Sequence, residues 1–359
     1  DGLKPSTRKI LYGSFLKGIW SANKEIKVSQ LAGFISEKTS YHHGEASLHS
    51  AIIGMAHNFI GSNNINYLYP SGIFGTRLMG GQDAAAPRYI FTYITDLTKL
   101  LFNQLDNNIL KYMDDDGAKI EPEYYLPILP TILINGSEGI GTGFCTKIPC
   151  YNPIDVVNNL LKVIDGEEQT EMKPWYRGFK GQIQKDSDKF GKFNTYGKYE
   201  KLSETKIRIY ELPVGVWTDK YKLILDKLEK SKVIKSYISN SSDELVDFTL
   251  DFDEDTLDDL ISKKKIWEKL KLVSHVQSGC MYAFGANNEL KHYHTPAEII
   301  TDFYKERYAG YIARKKYLIE QLTLEKDILL YKMKFIRAVI NRKLIIEKKK
   351  KQQIISELE

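Results

Sequence analysis

Tyr41-His42-His43-Gly44-Glu45 and, further on, Ala84-Ala85-Ala86-Pro87-Arg88-Tyr89-Ile90 bracket the stretch whose reading decides the fold. Between them lie Gly61-Ser62-Asn63-Asn64, Phe74-Gly75-Thr76-Arg77 and Gly80-Gly81. Upstream, Val28, Leu31 and Ile35 recur at helical spacing; downstream of the break, Leu48, Ile52, Met55 and Phe59 do the same. Two short helices joined at Tyr41–Gly44 form a helix-turn-helix, whose second helix can enter a DNA groove. After Phe59 the Gly, Asn, Ser and Pro content predicts loops and small strands, the wing of a winged-helix fold.

Outward from this stretch the pattern changes twice. Residues 90–112 return to a helical period through Ile94, Leu97, Leu101 and Leu105, and the Pro-interrupted apolar run 126–135 predicts a buried, extended segment. From 176 to 294 the chain reads as α+β: the segment from Gly181 and the segment Lys206–Tyr210 alternate like strands, and Trp217-Thr218-Asp219 starts a helix. Thr295-Pro296-Ala297-Glu298 is a helix start, with Thr as cap, Pro at the first helical position and Glu three residues after the cap. Beyond it one stripe runs through Ile300, Tyr304, Tyr308, Tyr311, Leu318 and Leu322, and a second through Leu329, Met333, Ile336, Ile340 and Leu344. Two long Lys-rich amphipathic helices, paired as an antiparallel coiled coil, are expected from them. The predicted class is α+β, with a winged-helix domain over 1–129, an α/β tower over 130–294 and a coiled-coil region over 295–359.

The composition is that of an ordinary globular protein, 42% hydrophobic and 27% charged. No apolar run approaches the ~20 residues of a membrane span, and no membrane partner is expected. Three cysteines without a CxxC pair argue for a reducing compartment and against a disulfide framework or zinc site. The first residues, Asp1-Gly2, suit a piece excised from a longer chain. The net charge of +5 is unevenly spread: residues 241–260 hold nine acidic and no basic side chains, whereas 312–351 hold thirteen basic and four acidic ones. Such segregation suits a protein that meets a polyanion at one end and solvent or another partner elsewhere.

Tyr89 is the candidate nucleophile. A phenol titrates near pH ~10, so its attack on a phosphodiester requires help with the proton and with the developing charge. Arg88, adjacent and permanently cationic, can hold a phosphate oxygen bidentately. His42 and His43 lack a third ligand at zinc spacing; a place at a helix start, where backbone donors favour phosphate, suits them better. A turn merely stabilised by the two histidines is the plainer reading of the pair.

Phe74-Gly75-Thr76-Arg77, Gly80-Gly81 and Asp83-Ala84-Ala85-Ala86-Pro87-Arg88-Tyr89-Ile90-Phe91-Thr92 closely resemble the breakage–reunion region of type IIA DNA topoisomerases of the eukaryotic kind. The resemblance extends through Glu211-Leu212-Pro213-Val214-Gly215-Val216-Trp217-Thr218-Asp219 to Lys343–Lys348. It implies that Tyr89 attacks the DNA backbone and stays linked to a 5′ end, with Arg88 and His43 acting at the phosphate and His42 packed nearby. Asp1-Gly2-Leu3-Lys4-Pro5 and Arg8-Lys9 match the family's entry into the winged helix. Lys4, Arg8, Lys9 and Lys27 are accordingly expected on DNA phosphates, and Arg77, among glycines that allow close approach, on the backbone. Glu138-Gly139-Ile140-Gly141-Thr142-Gly143 resembles the family's DNA-bending wedge, with Ile140 as the intercalating residue.

The resemblance further implies a homodimer acting on double-stranded DNA, with Mg²⁺ and ATP bound by other domains, so no metal ligand is assigned in this chain. The matching location is the nucleus for a cellular enzyme, or host cytoplasm for a large DNA virus, whose AT-rich coding would suit the Lys, Ile, Asn and Tyr content. The rival reading is a non-catalytic winged-helix protein that bends DNA and dimerises through its coiled coil. Such a protein has no need of Arg88-Tyr89 in a Gly/Ala-rich setting.

Overall fold

The structure is a computed structural model and describes residues 1–141, 143–186, 191–347 and 349–358. Thr142 of the Gly-rich run and Lys348 of the terminal lysine run therefore lie outside the described residues. The chain packs as two compact units, residues 1–104 with 110–307 and residues 105–109 with 308–359.

The first unit begins with α1 (Pro5–Lys17), which has Pro at its first position and ends at Gly18, whose φ of 70° lets its N–H reach back to the Ser14 and Phe15 carbonyls. β1 (Ile26–Lys27), α2 (Val28–Thr39), α3 (Glu45–Ala56) and β2 (Phe91–Thr92) follow. Val28, Leu31 and Ile35 of α2 and Leu48, Ile52 and Met55 of α3 meet Ile10 and Leu11 of α1 in one core. Each such fully buried aliphatic side chain contributes about 1.5–3 kcal/mol. The helix-turn-helix thus forms where the apolar spacing placed it, except that α3 stops at His57, so Phe59 lies beyond the helix and packs edge-on against Trp217. β1 and β2 pair antiparallel, Lys27 opposite Phe91.

Two stretches differ from expectation. Residues 90–112 hold β2, a helix only at Asp96–Leu101 and a 3₁₀ turn at Gln104–Asn108. Ile94 and Leu101 are buried but Leu97 and Leu105 are exposed, so the period never made one continuous buried face. In the run 126–135, buried as expected, Thr131–Asn135 is helical rather than extended: Pro130 precedes its first turn and Gly136 ends it.

The tower carries a four-stranded antiparallel sheet in the order Ser236–Ser239, Phe248–Asp251, Lys206–Glu211, Lys198–Lys201, and a three-stranded one in the order Val273–Gln277, Lys192–Tyr196, Gln182–Lys185. Along Lys206–Glu211 the inward phase is Ile207, Ile209 and Glu211, all buried. The helix Thr218–Lys230 lays Tyr221 and Leu225 on this core, and the Tyr221 hydroxyl donates to the Leu270 carbonyl at 2.8 Å.

Both apolar stripes of the C-terminal region lie on one helix, Pro296–Ile340, rather than on two, with Leu344 alone beyond its end. Residues 311–340 contain neither Gly nor Pro, so nothing breaks the helix between them. Arg342, at φ 55°, and the N–H groups of Lys343 and Leu344, which turn back onto the Ala338 carbonyl, end it. The expected cap forms: the Glu298 N–H donates to Thr295 Oγ1, and the Glu298 carboxylate accepts from the His294 N–H. Within the second unit this helix leaves Ile312, Ile319, Leu322, Leu329, Ile336 and Ile340 exposed. Among the described residues no helix is long and apolar enough to cross a membrane.

Candidate active site

Arg88 and Tyr89 sit on a loop whose backbone is held from below. The first free N–H groups of α2, those of Val28 and Ser29, donate to the carbonyls of Ile90 (3.0 Å) and Pro87 (3.2 Å). A helix N-terminus needs such acceptors, so the start of α2 and the loop satisfy each other. Ile90 is buried beneath the loop, the Tyr89 N–H closes a turn onto the Ala86 carbonyl, and Phe91 pairs with Ser71. The side chains of Arg88 and Tyr89 are left outside: Tyr89 is 66% exposed, and the Arg88 guanidinium lies 4.9 Å from the centre of its ring. Lys27, placed opposite Phe91 by the β1–β2 register, stacks its ammonium over that ring at 5.9 Å. A phenol and two cations thus lie along this loop and the strand after it, Arg88 and Tyr89 exposed and Lys27 half-buried.

His42 and His43 stand at the other end of α2, a helix of about 18 Å, in the turn that leads into α3. Both are exposed; His43 meets the Tyr41 ring edge-on, and His42 Nε2 is 4.0 Å from Asp115. α3 begins at Gly44 with no side-chain cap, and its exposed first turn carries the small residues Ala46 and Ser47 beside Glu45. Free N–H groups and small side chains suit a phosphate oxygen. Within one chain His43 thus stands at the opposite end of α2 from the Tyr89 loop.

Three of the expected phosphate contacts are committed elsewhere. Arg8 holds Asp1 bidentately at 2.9 and 3.0 Å. Lys9 pairs with the buried Glu121 at 2.8 Å. Arg77 is itself buried, ion-paired with Glu211 and donating to the Leu212 carbonyl at 3.2 Å. The desolvation of these charges is offset by their internal partners. Lys4 remains exposed at the start of α1.

The partner of Arg77 is a residue the sequence reading missed. Glu211 also accepts from the Lys180 and Leu212 N–H groups, each at 3.0 Å, which ties the loop ahead of Tyr89 to the tower. Beside it the Thr218 and Asp219 N–H groups donate to the Arg77 and Leu78 carbonyls. Gly80 lies so close to the Trp217 ring that a Cβ there would collide at 2.3 Å. Asn64 completes the join: its side-chain N–H group donates to the Ile134, Tyr151 and Trp175 carbonyls and its oxygen accepts from Arg177 N–H. The signal for Glu211 was present, since an acid on the inward phase of an alternating strand requires a buried partner.

Ile140 is 94% exposed at the end of a hairpin, Ser137–Gly141 paired with Phe144–Ile148, and this excludes a tight buried turn. The Glu138–Lys147 ion pair, 3.5 Å, lies on the same hairpin face as Ile140.

Asp83, near Tyr89 in sequence, accepts from both the N–H and the hydroxyl of Thr76; burial opposes its ionisation, but these bonds outweigh it and hold its carboxyl below the usual range. Among the described residues no group of three or more His, Cys, Asp or Glu is arranged to hold a metal ion.

A family model describing the DNA gyrase/topoisomerase IV A-subunit matches residues 1–359. The protein called DNA topoisomerase 2 in Arabidopsis thaliana is 43% identical over 367 residues, aligning with 100% of this chain and 24% of its own length. Its namesake in Plasmodium falciparum is 44% identical (100% and 26%), and that in Acanthamoeba polyphaga mimivirus 39% identical (100% and 33%). The crystal structure of the Plasmodium falciparum topoisomerase II DNA-binding, cleavage and re-ligation domain superposes with a TM-score of 0.94 at 44% identity, covering 100% of this chain and 49% of that one. The chain thus spans about a quarter to a third of these curated relatives. It belongs to the DNA gyrase/topoisomerase IV A-subunit family.

Proposed function

We propose that this chain is the breakage–reunion core of a type II DNA topoisomerase, and that Tyr89 is its nucleophile. The observation that carries this reading is the exposed Tyr89 ring with the Arg88 guanidinium beside it, on a loop anchored by the start of α2. In the reaction the Tyr89 Oη–phosphorus bond forms, the bond from phosphorus to the 3′ oxygen breaks, and that oxygen leaves as a hydroxyl after taking a proton. The DNA 5′ end stays on Tyr89. One phosphate ester replaces another, so the reverse reaction needs no energy source. Arg88 stabilises the charge that builds on the phosphate oxygens. Lys4 and Lys27 hold flanking phosphates, and His42, His43 and the first turn of α3 form the second phosphate position.

Ile140 enters the duplex between base pairs and opens a kink. A homodimer supplies two tyrosines for a double-strand break, and the exposed apolar stripe of Pro296–Ile340 supports a helical contact that keeps the halves together. Mg²⁺ and ATP belong to other parts of the enzyme in this reading.

The test is to mix the full-length protein with DNA labelled at its 3′ ends, denature, and look for protein covalently bound to labelled DNA. A DNA-bending protein without chemistry leaves none. Arg88→Ala is expected to slow formation of the adduct by about 10²–10³-fold, the usual cost of removing a charge-stabilising group; a rate within about twofold of wild type removes Arg88 from the site. Ile140→Ala is expected to lower the bent fraction of a short duplex carrying a dye at each end, because alanine cannot fill a gap whose opening costs a few kcal/mol per step, roughly. An unchanged bend reduces Ile140 to a surface residue.

A further inference from the structure

The wedge hairpin does not stand alone. Its outer strand, Phe144–Ile148, lies against a second hairpin contributed from far along the chain, Met281–Phe284 paired with Leu290–Tyr293. The Lys147 N–H donates to the Cys280 carbonyl at 2.8 Å, and the Thr146 hydroxyl to the Tyr282 carbonyl at 2.7 Å. Along each strand successive side chains point to opposite faces. On the wedge hairpin Ile140 faces one way, with its cross-strand neighbour Cys145; Phe144 and Thr146 face the other. On that second face sits Tyr282, whose ring meets Phe144 at 5.7 Å and 61°. Tyr282 is backed in turn by His292, stacked at 4.3 Å and 11°, and His292 by His294, at 4.4 Å and 63°.

The opposite phase of the second hairpin is fixed in a core. Met281 and Tyr293 are buried with Leu133, Tyr151 and Ile300, and the wedge strand ends in the same core at Ile148. Gly139 and Gly141, on either side of Ile140, put no side chains on the face opposite it, so the aromatic contact and the Thr146 bond do the bracing there. A two-stranded hairpin is marginal by itself and would bend away from an inserted load.

We propose that Tyr282, stacked on His292, is a positioning residue for the wedge: it braces the face of the hairpin opposite Ile140 and keeps that side chain in the kinked duplex. The proposal rests on Ile140 being the wedge. Pushing Ile140 between base pairs drives the hairpin toward Phe144, Tyr282 and His292, and a rigid stack returns that force to the DNA. The tyrosine acts through Ile140 and touches no reacting atom.

The test uses the full-length protein and a short duplex dye-labelled at both ends, with energy transfer reporting the bend and anisotropy reporting affinity. Tyr282→Ala is expected to reduce the bent fraction to about half or less while the duplex still binds. Tyr282→Phe, which keeps the ring, retains the wild-type bend. The double variant Ile140→Ala/Tyr282→Ala bends no less than Ile140→Ala alone, because the brace works only through the wedge. Thr146→Val, which keeps the shape but removes the hydroxyl bond, lowers the bend in the same direction and serves if Tyr282→Ala does not fold. A wild-type bend in Tyr282→Ala and Thr146→Val, with a reduced one in Ile140→Ala, overturns the brace and leaves the wedge standing. A wild-type bend in Ile140→Ala overturns the wedge and the brace with it. Equal losses in Tyr282→Phe and Tyr282→Ala show that the ring is not the support and also overturn the proposal.

Discussion

Tyr89→Phe is expected to abolish covalent capture of DNA while leaving affinity for DNA within about twofold of wild type, because only the attacking oxygen is lost. Nothing in the loop depends on that oxygen. The backbone around it is held by the Val28 and Ser29 N–H groups and by the Ser71–Phe91 pairing, and the ring is mostly in solvent. Phenylalanine keeps the ring against Arg88, so the cation proposed to bind the phosphate stays where it was. The measurement is the fraction of 3′-end-labelled DNA retained on denatured protein, beside a binding titration at fixed salt, since phosphate contacts make affinity salt-dependent. Adduct formation at the wild-type level by the phenylalanine protein would mean that another side chain attacks. A joint loss of adduct and binding would mean that the loop itself had collapsed.

The helix-turn-helix was legible because its apolar residues repeat at three and four, and α2 and α3 bury those same residues save Phe59. The cap at Thr295 was legible for a similar reason, since a short polar signature has one local use. What periodicity could not tell was where one helix ends and the next begins. The stripes through Leu322 and Leu329 share a helix because no residue between them resists helical geometry. Exposure was also invisible: Ile140 and Tyr89 stand out in solvent, while Arg77, in an equally Gly-rich setting, is buried. The distinction lies in Glu211, more than a hundred residues away in sequence. A local pattern shows that a cation is available but not whether a carboxylate reaches it first.

That carboxylate makes the second large effect. Arg77→Met is expected to destabilise the first unit by about 3–5 kcal/mol, the usual cost of leaving one member of a buried ion pair without its partner. Both side chains are nearly sealed from water, at 5% and 1% exposed, so screening offers little relief. The Lys180 and Leu212 N–H groups would still bond Glu211 but bring no full positive charge. Arg77→Met combined with Glu211→Leu should recover much of the loss, since removing both charges ends the desolvation cost that the orphan bears. The measurement is the unfolding midpoint in denaturant for the wild type, each single variant and the double. A single variant costing under about 1 kcal/mol would show that water reaches the pair. The same series bears on chemistry, because the Arg77 and Leu78 carbonyls also accept from Thr218 and Asp219, which makes this join a link between the tower and the loop carrying Tyr89. If the join positions that loop, the stable double variant folds and binds DNA yet forms adduct more slowly than wild type; if the join only holds the fold together, restoring stability restores the rate.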